Sequence, residues 1–291
     1  MTAIKFGTDG WRDVIAEDFT FANARIVAQA IARYVVRCED ARKGVLVGYD
    51  HRFASDTVAA AVAEVITSTG TPVWLADKPC PTPTISLLVR QRAAAGGILI
   101  TASHNPYQWN GIKYKASYGS SALPSIVAQI EIELAEMQKN AVTPLPSRKD
   151  LIQTLEPRAP YLDTIEKLID WKRLRDAKLR FVCDPMHGSA TGLLPALFAR
   201  NGIACDEIRA TRDPRFGGVH PEPIPPHIAP LQDAVLAGKY DAGLCADGDG
   251  DRIGAVDRDG SFVNPHQIFA LLVWHLAGTR NLPGDIAKPF P

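Results

Sequence analysis

The 291-residue chain carries 32 lysines and arginines against 32 aspartates and glutamates, so its formal net charge is zero. Such a balance offers no extended basic field to hold a nucleic-acid backbone or an anionic membrane. With 46% hydrophobic and 22% charged residues, the composition is that of a globular protein, and the length predicts about two domains.

Met1-Thr2-Ala3-Ile4-Lys5-Phe6-Gly7 lacks the apolar core of a signal peptide, and no apolar run approaches the ~18 residues of a membrane span. The five cysteines are scattered, with Cys183 and Cys245 inside apolar, strand-like runs. They read as reduced, mostly buried thiols, and the expected location is cytoplasmic.

Along the chain, Gly7-Thr8-Asp9-Gly10-Trp11-Arg12 is a turn-rich opening. A helix is predicted over Phe21–Cys38, with Thr20 as N-cap and Ile26, Ala30, Ile31 and Tyr34 on its apolar face. Val45–Tyr49 reads as a buried strand, Thr57–Thr69 as an alanine-rich helix stopped by Gly70, and Val73–Leu75 as a strand. A Pro-Thr-Pro-Thr loop then leads to a helix over Ile85–Arg92. Ile98–Ile100 is a further strand, Asn110-Gly111 a turn signal, Ile112–Lys115 a short strand with its lysines on one face, and Ile126–Gln138 a helix. Prolines 144, 146, 157 and 160 mark residues 140–160 as a linker ending in a helix at Tyr161–Ile169. A second alternation follows: strand Arg180–Asp184, helix Thr191–Arg200, strand Ile203–Ile208, a proline-rich loop over Gly217–Pro226, helix Ile228–Ala237 and strand Ala242–Ala246. Ser261–Val263 and Pro265–Ala277 are a last strand and helix. The fold class expected is α/β: two consecutive three-layer α/β/α domains with mixed, largely parallel sheets, over 1–145 and 146–257, and the start of a third over 258–291. The similar order of elements in both halves hints at duplication.

Two stretches carry chemistry. Gly96 to Pro106 ends an apolar run in Thr101-Ala102-Ser103-His104-Asn105-Pro106, and Pro106 pushes Asn105 toward extended geometry. Ser103 and His104 therefore belong to an ordered loop at a strand end, where open α/β sheets place ligands. Asp247-Gly248-Asp249-Gly250-Asp251-Arg252 sets three carboxylates at alternate positions. Their hard oxygens suit magnesium or a similar divalent ion. A calcium-binding helix–loop–helix is excluded, because its sixth-position glycine and twelfth-position glutamate are here Arg252 and Arg258. A solvated acidic turn without metal stays open. Three carboxylates leave room for a phosphate oxygen, and Arg252 adds a fixed cation. No Walker loop, nucleophile elbow or dinucleotide fingerprint is present, and the adjacency of Ser103 and His104 disfavours a serine hydrolase.

Together, the Thr101–Pro106 stretch, Asn110-Gly111-Ile112-Lys113 and Asp247–Arg252 resemble the α-D-phosphohexomutase family, the phosphoglucomutases and phosphomannomutases. Gly7–Arg12 and Gly48-Tyr49-Asp50-His51-Arg52 resemble two further signatures of that family. The resemblance implies a mutase interconverting hexose 1-phosphate and hexose 6-phosphate through a phosphoserine and a hexose 1,6-bisphosphate. Ser103 would be the phosphoserine, and Asp247, Asp249 and Asp251 would hold one Mg2+ per chain, with a phosphoryl oxygen on Ser103 as a further ligand. Lys113 would act as general acid/base, His104 would assist positioning or proton transfer, and Arg12 and Arg252 would neutralise the phosphoryl group. Asp50 and Arg52 read as a structural pair, His187 and His220 as loop braces. The implied partner is a hexose phosphate, with no nucleic acid and no membrane.

Family members carry four domains, and neither a G-E-x-S-G sugar loop nor an R-x-S-G-T phosphate loop is found here. The expectation is an impaired, truncated mutase, with self-association through the opening of the third domain. The alternatives are a non-catalytic metal- and phosphate-binding fragment and a phosphatase-like hydrolase. Which hexose is used, and the oligomeric state, stay open.

Overall fold

In the computed structural model, residues 4–7, 9–139 and 146–287 are described; Thr8 of the opening motif, Pro144 of the expected linker and the last four residues lie outside them. The first sheet has the order β1-β5-β4-β2-β3-β6. Its strands are β1 (Trp11–Val14), β2 (Val45–Tyr49), β3 (Val73–Ala76), β4 (Gly96–Ile100), β5 (Trp109–Ala116) and β6 (Ile152–Leu155). β2, β3, β4 and β6 run parallel, while β5 returns antiparallel to β4 and β1 antiparallel to β5. The crossovers are α1 (Phe21–Cys38), α2 (Ser55–Thr67) and α3 (Thr82–Gln91), and α4 (Pro124–Lys139) follows β5.

The 18-residue α1 has the predicted bounds, and the Thr20 side chain accepts from the Asn23 amide at its start. Its apolar face, with α2 and α4, covers one side of the sheet around Val45, Val47, Ile98, Ile100 and Tyr114. α3 packs Ile85, Leu88 and Val89 on the other side, against Leu46 and Leu99.

The second sheet has the order β11-β10-β9-β7-β8, built from β7 (Phe181–Asp184), β8 (Cys205–Glu207), β9 (Ala242–Ala246), β10 (Ile253–Asp257) and β11 (Phe262–Val263). β7, β8 and β9 are parallel, and β10 and β11 return antiparallel. α5 (Arg158–Glu166), α6 (Trp171–Ala177) and α7 (Leu193–Arg200) cover one face, and α8 (Ala229–Gly238) covers the other.

Four local expectations are corrected. The Pro-Thr-Pro-Thr segment is the first turn of α3, with Pro81 as N-cap; a proline there removes only an amide that has no intrahelical partner anyway. Asn110-Gly111 lies within β5, not in a turn, because Gly111 is needed for close approach. A Cβ on it would sit 2.5 Å from the Trp11 carbonyl oxygen and 2.8 Å from that of Thr101. The linker expected over 140–160 contains β6, which extends the first sheet past the division drawn at residue 145. Phe262–Val263 does not open a third sheet; it pairs with β10, a strand the sequence pattern did not reveal. After it comes α9 (Pro265–Val273), capped by Asn264 and Gln267, with Leu271 and Leu272 exposed.

Candidate functional site

The antiparallel returns place the two chemical stretches alike. The Ser103 loop joins β4 to its antiparallel neighbour β5, and the aspartate loop joins β9 to its antiparallel neighbour β10. The two loops meet at Gly248, where a Cβ would stand 2.6 Å from the Ser103 carbonyl oxygen. Only glycine permits that approach.

Ser103 is buried and sits in the left-handed region with φ +55, a conformation that the surroundings must hold. Its amide donates to Thr101 Oγ1 at 2.9 Å, and that hydroxyl donates to Asp50 Oδ2 at 2.6 Å. Arg52, fully buried, spreads its guanidinium under the loop. Nη1 donates to the carbonyls of Pro106 and Trp109, and Nη2 to those of Ser103 and Asn105, all at 2.7–2.9 Å. Arg52 pairs with Asp50 at 3.2 Å, as the sequence suggested. Phe216, from the segment between β8 and α8, lies 4.8 Å from its guanidinium carbon.

Ser103 Oγ donates to Asp247 Oδ2 at 3.1 Å. Lys113, buried on β5, donates to Asp249 Oδ2 at 2.8 Å and Asp251 Oδ2 at 3.0 Å, and pairs with Asp9 Oδ2 at 3.0 Å. Burial alone would lower the Lys113 ammonium, but the three carboxylates outweigh it and raise it, so it is held as a cation. Burial works against Asp9 also, yet Lys113 and Lys115 bring its carboxyl down to about 2. Asp249 is likewise held low by Lys113 against the effect of burial. Asp247 goes the other way: burial, then Asp249 and Asp251 alongside, push it well above the ordinary carboxylate range.

Oxygens of Asp247, Asp249 and Asp251 lie within 4.8 Å of one another, and Asp249 Oδ1 is buried without a hydrogen-bond partner. A clustered hard-oxygen set with an orphaned carboxylate oxygen and a raised neighbour fits a divalent cation. The Asp247 Oδ1 atom is otherwise engaged, accepting from the amides of Asp251 and Arg252. Thr82, the first residue of α3, fixes Asp249 from the helix layer of the first sheet: its hydroxyl donates to Asp249 Oδ2 at 2.6 Å and its amide to the Asp249 carbonyl at 2.8 Å.

The structure thus brings Ser103, Lys113, Asp247, Asp249 and Asp251 into one connected cluster. His104 Nδ1 is 3.4 Å from Ser103 Oγ, and burial, then Arg252, lower the ring so that it stays neutral near pH 7. Arg12 is at the rim, donating to Asn105 Oδ1 at 2.9 Å. The Arg252 guanidinium is half-exposed and pairs with Glu222 at 2.8 Å instead of approaching the serine. His187 and His220 brace loops: the His187 carbonyl contacts His51 Nδ1 at 2.8 Å, and His220 stacks on His227. Sequence reasoning missed Asp9, Thr82 and the reach of Arg52. Thr82 gives no local signal, because its partner is 167 residues away.

Among the described residues no helix is long and apolar enough to cross a membrane. Residues 3–141 match the model for phosphoglucomutase/phosphomannomutase alpha/beta/alpha domain I, and residues 159–260 match domain II. A phosphoglucosamine mutase of Picosynechococcus is 31% identical over 288 residues, covering 97% of this chain and 58% of the relative. One from Acetivibrio thermocellus is 32% identical over 269 residues, with 92% and 58% covered. A solved structure from Thermus thermophilus, assigned to the phosphomannomutases, superposes with a TM-score of 0.85 at 34% identity, covering 96% of this chain and 62% of that one. The chain spans 58% to 62% of the length of these relatives. Matching domains in the same order, sequence identity along nearly the whole chain and a shared fold agree: the chain belongs to the phosphoglucomutase/phosphomannomutase family, the α-D-phosphohexomutases.

Proposed function

We propose that the chain carries the phosphoryl-transfer centre of a magnesium-dependent phosphohexose mutase, in which Ser103 is the group that takes and returns phosphate. The carrying observation is the 3.1 Å contact between Ser103 Oγ and Asp247 Oδ2, inside a cluster whose orphaned Asp249 oxygen fits a cation. The names of the relatives, phosphoglucosamine mutase and phosphomannomutase, support a hexose phosphate as substrate.

Phosphoryl transfer needs in-line positioning and charge neutralisation. Arg52 and Thr101 fix the Ser103 loop, so that Oγ meets the phosphorus of a hexose 1,6-bisphosphate without reorganising. As the Oγ–P bond forms, the bond from phosphorus to the sugar oxygen breaks, and that oxygen takes a proton. Lys113, protonated at rest, is the acid here. It gives the proton up and takes it back in the reverse step only where the hold of Asp9, Asp249 and Asp251 on its ammonium is relaxed, as a cation on Asp249 and Asp251 would do. Neutral His104 accepts the Ser103 proton or orients the hydroxyl. Mg2+ held by Asp247, Asp249 and Asp251 would supply positive charge to the phosphoryl oxygens. Arg12 faces the loop from the rim and adds charge to an entering phosphate; Arg252 does so once it leaves Glu222. The proposed location of the protein is cytoplasmic.

The test is incubation of the purified chain with a hexose 1,6-bisphosphate and Mg2+, followed by peptide mass analysis. Gain of one phosphoryl mass on the Ser103 peptide, lost in Ser103→Ala, is expected. Phosphate on another residue, or retained in Ser103→Ala, refutes the assignment.

A further inference from the structure

Away from the site, two cysteines on neighbouring strands of the second sheet lie sulfur to sulfur at 2.9 Å: Cys183 on β7 and Cys205 on β8. The parallel register pairs Phe181 with Cys205 and Cys183 with Glu207. Both thiols therefore project from the same face, one pleat apart. Among the described residues no other pair of cysteine sulfurs is in such contact, and all five cysteines are free thiols. Closing the gap to the disulfide length of about 2.05 Å takes less than about 1 Å of sulfur movement. That is within reach of small χ1 rotations, and β8 is a three-residue strand paired on one side only, at the sheet edge.

We propose that Cys183 and Cys205 form a redox-responsive pair that a hydroperoxide converts into an intrachain disulfide, independently of the Ser103 chemistry. The two thiols differ in access. Cys183 is buried, whereas Cys205 is partly exposed and reaches solvent from the sheet edge. The peroxide meets Cys205 first and oxidises it to the sulfenic acid, with release of one water. The Cys183 sulfur then attacks the Cys205 sulfur, the S–O bond breaks, and the hydroxyl leaves with the Cys183 proton as a second water. Two thiols are oxidised and one peroxide is reduced. A dithiol reductant reverses the step by exchange. The Cys205 sulfur alongside, and then burial, push the Cys183 thiol upward, which keeps it inert until its neighbour is oxidised.

The crosslink would tie the edge strand to β7 next to Asp184, whose carboxylate accepts from Arg209. Asp184 also anchors the loop that leads to His187 and its contact with His51, in the bend after β2.

The experiment uses the full chain with Cys38→Ser, which removes the exposed thiol that could join two copies. The chain is treated with hydrogen peroxide, its remaining thiols are blocked, and it is digested without reductant for mass analysis. Expected is a single linked peptide pair, Cys183 with Cys205, a mass loss of two hydrogens, and full reversal by dithiothreitol. The midpoint of thermal unfolding rises with the link, which constrains the unfolded chain across a separation of 22 residues. Oxygen added to Cys205 without a link, both thiols still free, or a link to another cysteine would each overturn the proposal. Cys205→Ser is the matched control: it must abolish the linked pair and the thermal shift.

Discussion

Replacing Arg52 by Met is the sharpest test of how the Ser103 loop is held. The guanidinium is fully buried, supplies four hydrogen bonds to backbone carbonyls, neutralises Asp50 and rests on Phe216. Methionine fills comparable space but leaves those carbonyls without this donor and Asp50 without its cation. One buried acceptor left unpaired costs about 1–3 kcal/mol, and stranding one member of a buried ion pair costs about 3–5 kcal/mol. These effects share the same atoms and do not add, so the expected loss is about 4 kcal/mol, a large fraction of a typical margin of about 5–15 kcal/mol. Arg52→Lys separates charge from geometry. It keeps a cation for Asp50 but has at most three donors and no planar fork, so about half the loss should remain. Urea unfolding of the wild type and both variants gives the stability. Peptide mass analysis after incubation with hexose 1,6-bisphosphate reads the loop, because a released Ser103 leaves φ +55 and its contact with Asp247. If Arg52→Met unfolds within about 1 kcal/mol of the wild type and Ser103 is phosphorylated at an unchanged rate, Arg52 does not organise the loop.

Other perturbations probe the neighbouring contacts. Asp249→Asn removes a charge from the carboxylate cluster and should weaken Mg2+ or Mn2+ binding; unchanged affinity by titration calorimetry would remove Asp249 from the metal set. Thr82→Val leaves Asp249 Oδ2 without its 2.6 Å donor, and loss of such an outer contact should lower metal affinity about 10- to 100-fold, again read by calorimetry. Gly248→Ala puts a methyl group 2.6 Å from the Ser103 carbonyl; it should part the two loops and slow Ser103 phosphorylation by about tenfold or more, and a wild-type rate would show that the loops need not touch. His51 is buried, and burial lowers its ring below the ordinary 6.5. The unfolded chain therefore binds a proton that the folded chain resists, and stability falls as pH drops below about 6.5. In His51→Gln that part of the slope should vanish in denaturation curves across pH 7 to 5.

Much of this was legible in the sequence, and the failures share a cause. α1, β2 and β9 have the predicted bounds, because each combines a clear apolar pattern with a local stop: Thr20 as cap, Gly48-Tyr49 before a charged turn, Ala246 before the aspartates. β6 and β10 were missed because their partners decide them. Ile152-Gln153-Thr154-Leu155 is a weak pattern among prolines, and it becomes a strand by adding to the edge at β3. Ile253-Gly254-Ala255-Val256-Asp257 contains an exposed isoleucine and a glycine, and it is ordered by its antiparallel return along β9. Ser103 and the three aspartates could be singled out as candidates because they lie in compact local motifs. Asp9, Thr82 and the four-carbonyl grip of Arg52 could not, since each acts across tens to more than a hundred residues of chain.

The two sheets explain why the cluster can be assembled from separate halves of the chain at all. Each sheet ends a parallel strand in a loop and then returns antiparallel, so that β4 delivers Ser103 and β9 delivers Asp247 at corresponding places. A parallel crossover would have carried the chain away through a helix. The antiparallel return instead brings Lys113 back on β5, opposite Leu99, where its ammonium meets Asp249 and Asp251. The cation on one sheet and the carboxylates on the other then hold the loops together, with Thr82 adding a neutral contact. Removing Lys113 should therefore do two things at once: leave Asp249 and Asp251 with uncompensated charge, and loosen the contact between sheets. A Lys113→Met chain that unfolds as the wild type does, with undiminished contact between Ser103 and Asp247, would show that the close approach at Gly248 suffices to hold the loops.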